Sequence, residues 1–308
     1  MNLTRTKPFT LTSTDEDILK AVYKYLYMTS LDVAHLLFKP SYMPYVRGRL
    51  SRLAGGKALQ PNTYLCCFKL PVTAGNSPLI FTLGSKGREF LSQAIGQPVD
   101  WHFRPNSLKF FSYSAILHHL LLTRFLVACR SWCQGREDFR LLEERTSYEI
   151  ARQPPQVTLT NKDKKTTIPV IPDAWVKFDH VENGRHKNIA VLFELDRGME
   201  HGQKFKQHVR GRIELIRSGE YQRKFGVPGV IVSYLTTGQT PEYRKTRCRA
   251  MAAWTQEVLT ELNLKSWATI FRFTAVEFDT LYKDAAMLFE EPVWFRPDSP
   301  TAPVSLLT

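Results

Sequence analysis

A chain of 308 residues with 43% hydrophobic and 23% charged residues is long enough for two domains with separate cores. Its formal net charge of +13 points to a polyanionic partner, nucleic acid ahead of an acidic membrane surface. No apolar run reaches membrane-span length, and the opening MNLTRTKPFTLT lacks the apolar core of a signal peptide, so no membrane partner is expected.

Ser13 and Thr14 ahead of Glu16 and Asp17 form a helix start, with a cap and acids in the first turn. Ile18, Val22, Tyr25 and Leu26 then recur at helical spacing. Ser30 caps a short second helix, LDVAHLLF, which stops near Pro40. A third helix runs from Pro44 to Ala54 with Val46, Leu50 and Leu53 inward. Its other face carries Arg47, Arg49 and Arg52 with no acidic residue. TYLCCFKL and LIFTL, joined by the turn-rich PVTAGNSP, read as a hairpin, and SKGREFLSQAI as a closing helix. This is the winged-helix plan, a helix-turn-helix variant, and FTLGSKGREFL resembles the wing-to-last-helix junction of many bacterial winged-helix proteins. The third helix of that plan enters the major groove, which sets Arg47, Arg49 and Arg52 against duplex DNA. Lys57, Lys69 and Lys86 are the expected phosphate contacts from the wing and last helix. The plainer reading of the three arginines is a solvated helix face.

PVDWHFRP, from Pro98 to Pro105, reads as a linker with aromatic anchors. A long helix from Ser112 to Cys133 follows, with His118, Leu121, Leu122, Phe125 and Leu126 at core spacing. The five cysteines include no Cys-x-x-Cys pair. Cys129 and Cys133, four apart, read as small buried side chains rather than metal ligands, and the expected compartment is the cytoplasm. FRLLE is a short strand ending in Glu143-Glu144, and TSYEIARQPPQVTLTNKDKKTTIP is mostly loop with a hairpin tip at NKDKK. Strands are expected at Val170–Phe178 and Ile189–Leu195, separated by the polar turn HVENGRHKN. A helix over Lys204–Tyr221, the strand PGVIVSYL, the helix TPEYRKTRCRAMAAWTQEVLTEL and a strand near WATIFRF complete an α/β (α+β) domain with a mixed central sheet. The expected division is a winged-helix domain at 1–97, a linker at 98–111, the α/β domain at 112–290 and a loosely ordered, proline-rich tail at 291–308.

Pro172-Asp173 ends one apolar run, and Glu194 and Asp196 close the next, VLFELD. Carboxylates at the ends of neighbouring strands, facing a cationic helix, suit Mg²⁺ (or Mn²⁺) and a phosphate. Along KFKQHVRGRIELIRSGEYQRK the cations outnumber Glu214 and Glu220, which makes Arg210 and its neighbours candidate DNA contacts with a steep salt dependence.

The succession helix–FRLLEE–PDAWVKF–VLFELD–basic helix–VIVSYL resembles the PD-(D/E)xK nuclease fold. From about residue 10 to 240, the winged helix, HHLLLTRFL, PDAWVKF and FELDRGME in that order resemble the replication-relaxation family of plasmids and mobile elements. That resemblance implies a role in plasmid replication control and DNA relaxation. The resemblance to the nuclease fold implies that Asp173 and Glu194 hold a metal, with Glu143 or Glu144 as the additional acid. Where the nuclease signature has a lysine, this sequence has Asp196. Lys204, Lys206 or His208 on the following helix would then supply the missing cation, with Asp196 as an extra ligand. Alternatively, Asp196 pairs with Arg197 or a helix arginine, and the domain keeps the shape without the chemistry.

Two functions follow. One is a DNA-binding protein of a plasmid or mobile element whose nuclease-like domain nicks DNA with Mg²⁺, through Asp173, Glu194, Asp196 and Lys206, with Glu144 as a third metal ligand. The other is a non-enzymatic regulator of replication or transcription whose second domain serves assembly. Duplex DNA is the expected partner in both, with a homodimer and other proteins of the mobile element as further expected contacts.

Overall fold

The structure is a computed structural model, and it describes residues 10–56, 62–70, 77–99, 113–161, 164–198, 200–238, 240–275 and 277–307. The chain divides into two compact units, Met1–Thr123 and Arg124–Thr308. The division falls inside the long helix, later than the boundary near residues 98–111 that the sequence suggests.

In the first unit, α1 (Ser13–Tyr25) and α2 (Ser30–Leu37) are each started by a threonine. Thr12 and Thr29 accept from the amides of Asp15 and Asp32, whose carboxylates accept back from the threonine amides at 2.9 and 2.6 Å. Each box satisfies two helix-end N–H groups at once. The caps thus lie one residue ahead of the expected Ser13 and Ser30. Helix α3 (Met43–Leu53) buries Val46, Leu50 and Leu53, as its spacing predicts. Strand β1 (Met28–Thr29) pairs with β3 (Leu79–Leu83), which pairs antiparallel with β2 (Leu65–Lys69). Helix α4 (Ser85–Ile95) then closes the unit. A Cβ at Gly84 or Gly87 would meet the Thr63 or Tyr64 carbonyl oxygen at 2.1 or 2.2 Å, so only glycine lets α4 press against that backbone. Helix α5 (Tyr113–Cys133) begins in this unit and ends in the next.

The second unit is built on a seven-stranded mixed sheet. Its strands are β4 (Phe139–Thr146), β7 (Ala174–Glu182), β8 (Arg185–Asp196), β9 (Ile231–Thr236), β10 (Phe271–Ala275), β11 (Trp294–Arg296) and β12 (Ser299–Val304), in spatial order β12-β11-β10-β9-β8-β7-β4. β8, β9 and β10 are parallel, and the outer pairs are antiparallel. The crossovers run through α7 (Gly202–Arg217) with α8 (Glu220–Phe225), and through α9 (Pro241–Glu261). Alternation along the strands makes two apolar layers. Trp175, Leu192, Val232, Tyr234 and Phe273 share a core with Phe205, Val209 and Met251 of α7 and α9. On the opposite side Phe193 stacks on Phe125 of α5, ring centroids 3.6 Å apart, and Trp132 and Phe289 add to that layer.

Three sequence expectations need correction. The segment 147–169, expected as mostly loop, holds a short helix, α6 (Ser147–Ala151), and a separate antiparallel ribbon of β5 (Gln156–Asn161) and β6 (Lys164–Pro169). Thr146 starts the helix through a third threonine capping box, and Thr-rich alternation favours the ribbon. The expected basic helix is broken at Gly219, whose φ of 79° separates α7 from α8. The tail is not loose: β11 and β12 extend the sheet and cover the edge of β10, while Trp294, Leu306 and Leu307 are buried.

Candidate functional site

The acids of interest lie where β7 and β8 meet α7 and α9. Ala174 pairs with Phe193, which places Asp173 next to Glu194 and on the same face. An Asp173 carboxylate oxygen accepts from the Leu195 amide at 2.8 Å. Glu194 and Asp196, two apart on β8, both point at the helices, and each meets an arginine. Nε of Arg212, on α7, donates to Glu194 at 2.5 Å, and the same guanidinium reaches the Ile171 carbonyl at 3.3 Å. Arg247, on α9, grips Asp196 through both carboxylate oxygens at 2.9 and 2.8 Å. All four side chains are buried or nearly so, with exposures of 12% for Glu194, 9% for Arg212, 6% for Asp196 and 9% for Arg247.

The electrostatics follow from that burial. Loss of water pushes the Glu194 carboxyl above its ordinary value, Arg212 opposes this, and the neighbouring Asp173 charge adds to it. Arg212 is held firmly protonated by Glu194 despite its own burial. Across the β8–β9 ladder Tyr234 sits opposite Glu194, and Thr236 opposite Asp196. The Tyr234 hydroxyl and Thr236 Oγ1 are buried and make no hydrogen bond among the described residues. Burial raises the Tyr234 hydroxyl far above the usual phenol range, so it stays neutral.

The other expected site residues are dispersed. Glu144 pairs with Val176 on the sheet face that packs against α5, and Arg130 of α5 donates to it at 2.8 Å. It lies on the opposite side of the sheet from Glu194, so it cannot complete a metal site there. Glu143 is bonded to Arg145 at 2.6 Å. Lys206 and Arg210 turn towards α9, where they pair with Glu257 and Glu261. Glu200 takes His208 at 2.9 Å and Lys204 at 3.2 Å; burial tends to raise its carboxyl, but these two partners hold it below the usual range.

Among the described residues, no group of three His, Cys, Asp or Glu side chains gathers to hold a metal ion. Mg²⁺ takes oxygen ligands, and here one oxygen of Glu194 and both oxygens of Asp196 are engaged by guanidinium groups. The donor set in this conformation does not fit the ion expected from the sequence. The alternative expectation, Asp196 paired with a helix arginine, matches the geometry, although the partner is Arg247 on α9 and not a residue of α7. Position alone hides it, because Arg247 is one cation among several in RKTRCR and its partner is 51 residues away.

In the first unit, Arg47 and Arg52 of α3 are exposed, as are Lys69 and Lys86. Arg49 is not available in the same way. It donates to the buried Asp15 at 2.9 Å and to Thr12 Oγ1 at 2.7 Å, which ties α3 to the start of α1. Lys57 lies outside the described residues. Tyr42 and Tyr45 stand exposed at the start of α3, two aromatic side chains that the arginine pattern alone does not single out. No described helix is long and apolar enough to cross a membrane. The five cysteines are free thiols.

Comparison with curated proteins and with solved structures returned no match. A family model described as replication-relaxation matches residues 19–231, from the first turns of α1 to the start of β9. That match spans more than half of the chain, including most of α1, all of α2, α3 and α4 and the Asp173–Glu194 neighbourhood, and on it the chain belongs to the replication-relaxation family.

Proposed function

We propose that this protein is a DNA-binding factor of replication control in a plasmid or mobile element, and that its second unit is a nuclease-like scaffold used to hold DNA or partners rather than to cut. The first unit is read as a winged helix, with α3 as the recognition helix and Arg47 and Arg52 as its DNA-facing cations. The observation that carries the second half of the reading is the pair of buried arginine bridges, Arg212–Glu194 and Arg247–Asp196. In the PD-(D/E)xK plan the acids at these strand ends bind a divalent ion, which must offset charge on the scissile phosphate. Here fixed guanidinium charges already neutralise them.

The competing reading, a metal-dependent nuclease, has one observation in its favour: Asp173 and Glu194 are adjacent, and their repulsion adds to the raised Glu194 pKa. It requires Arg212 to leave Glu194 when metal and DNA arrive. Supercoiled plasmid incubated with the protein and Mg²⁺ or Mn²⁺, beside Asp173→Ala and an EDTA lane, separates the two. The proposal expects intact plasmid in every lane, a mobility shift on duplex DNA, and loss of that shift in R47E/R52E. Metal-dependent nicking that disappears in Asp173→Ala overturns the non-enzymatic reading.

A further inference from the structure

The β5–β6 ribbon has no place in the seven-stranded sheet; it pairs only with itself. A lone two-stranded ribbon is marginal in water unless something anchors it. Here its base is the anchor, because Val157 is buried in the core shared with α7 and α8, and Leu159 and Ile168 pack against that core. Towards the tip the same face turns polar, where Leu159 pairs with Thr166. Lys164 and Lys165, at the start of β6, are exposed.

Between the ribbon and α7 runs a groove of about 910 Å³. Thr158, Thr160 and Thr166 line it from the ribbon, and Lys206, Arg210 and Arg217 line it from the helix. No Phe, Tyr or Trp is among its lining residues, so it offers no stacking platform for bases. Its floor includes apolar side chains such as Ile168 and Ile213, and its polar groups include hydroxyls and cations, which bind phosphate and sugar without reading sequence. The helix cations are now engaged by carboxylates: Lys206 by Glu257, Arg210 by Glu261 and Arg217 by Glu214. Glu257 and Glu261 are exposed, as is Arg217, so each pair is open to solvent on at least one side and is worth little, and a phosphate can take over the cations.

We infer that the ribbon and α7 form a clamp for the sugar–phosphate backbone of DNA, a second contact beside the one on α3. This rests on the DNA-binding reading above. It assigns a function to the exposed part of the ribbon, beyond the residues that pack on the core.

The test uses the full chain and a fluorescent duplex of arbitrary sequence, with binding followed by anisotropy from low to moderate salt. Three proteins are compared: wild type, K164E/K165E/R217E and R47E/R52E. The clamp predicts that the triple variant binds at least about tenfold more weakly, and that its salt slope is shallower by about three, close to one per lost phosphate contact. Its circular dichroism should match wild type and its melting temperature should stay within a few degrees, because all three side chains are exposed and the Arg217–Glu214 pair that it removes lies largely in solvent. A benzophenone attached at Thr160→Cys should crosslink to the duplex, and one at the exposed Thr269→Cys should not. If R47E/R52E weakens binding while the triple variant keeps wild-type affinity and slope, the clamp is wrong and the α3 contact stands. If the wild-type chain does not bind duplex DNA, the DNA reading fails and the clamp fails with it.

Discussion

Replacing Arg212 by alanine should destabilise the second unit more than any exposed substitution, because it leaves the Glu194 carboxylate buried with its main counter-charge gone. Breaking a buried pair from one side costs about 3–5 kcal/mol. For a unit the size of Arg124–Thr308, each kcal/mol lowers the melting temperature by about 2–4 °C, so a drop of roughly 6–20 °C is expected. The pH dependence gives a second readout. The Glu194 carboxyl already lies above its ordinary value, so the folded state binds its proton more tightly than the unfolded chain does. Such a group favours folding at low pH, and that contribution disappears as pH rises through the folded pKa. Without Arg212 the carboxyl is pushed higher still, so Arg212→Ala should regain part of its deficit between pH 7 and pH 5. The double variant Glu194→Leu/Arg212→Met removes both charges at similar volume and should melt within a few degrees of wild type, well above the single variant. Scanning calorimetry on the three proteins decides the matter. A fall below about 2 °C in Arg212→Ala, or a double variant no better than the single, would refute the claim that this pair is a buried, mutually compensated bridge.

Arg49→Ala should cost about 1–3 kcal/mol in urea titrations by stripping charged hydrogen bonds from the buried Asp15, while Arg47→Ala should stay within about 0.5 kcal/mol of wild type. Burial tends to raise the Asp15 carboxyl, but Arg49 and Thr12 hold it below its ordinary value, so its contribution is lost as pH falls through the folded pKa; in Arg49→Ala that acid loss should begin at higher pH, and equal profiles for the two variants would count against a structural role for Arg49. At the turn joining β7 to β8, Gly184 has φ 73°, and a Cβ there would have no neighbour within 4 Å. Gly184→Val should therefore cost about 1–2 kcal/mol from the backbone alone, and Gly184→Asn distinctly less. Equal melting temperatures for Val and Asn there would show that the turn is not held in the left-handed region.

The helices were the most legible elements. Apolar spacing placed α3, α4 and α9 to within a residue or two of their ends, because each has one buried face, and α3 and α4 have a clear stop at Gly55 and Gly96. The β7–β8 hairpin was readable as two strands but not at full length: Asn183 and Gly184 both take positive φ, so the expected nine-residue polar turn shrinks to two residues and the strands run on through polar positions. The tail misled because proline-rich composition says nothing of a neighbouring open strand edge, and β10 supplies one. At the candidate site, sequence order identified Asp173, Glu194 and Asp196 but not their partners. Face is set by strand register, which puts Glu144 on the wrong side of the sheet, and pairing is set by helices that return far along the chain.

The cysteines carry a practical consequence. Burial pushes the thiols of Cys66, Cys133 and Cys248 up to about 11, 12 and 12, and raises those of Cys67 and Cys129 as well. At neutral pH almost none of these sulfurs is present as the thiolate that alkylating reagents attack. A cysteine introduced on the surface should therefore outcompete all five for a maleimide dye, and spectroscopic probes can be attached at single chosen points of the native chain without first building a cysteine-free background.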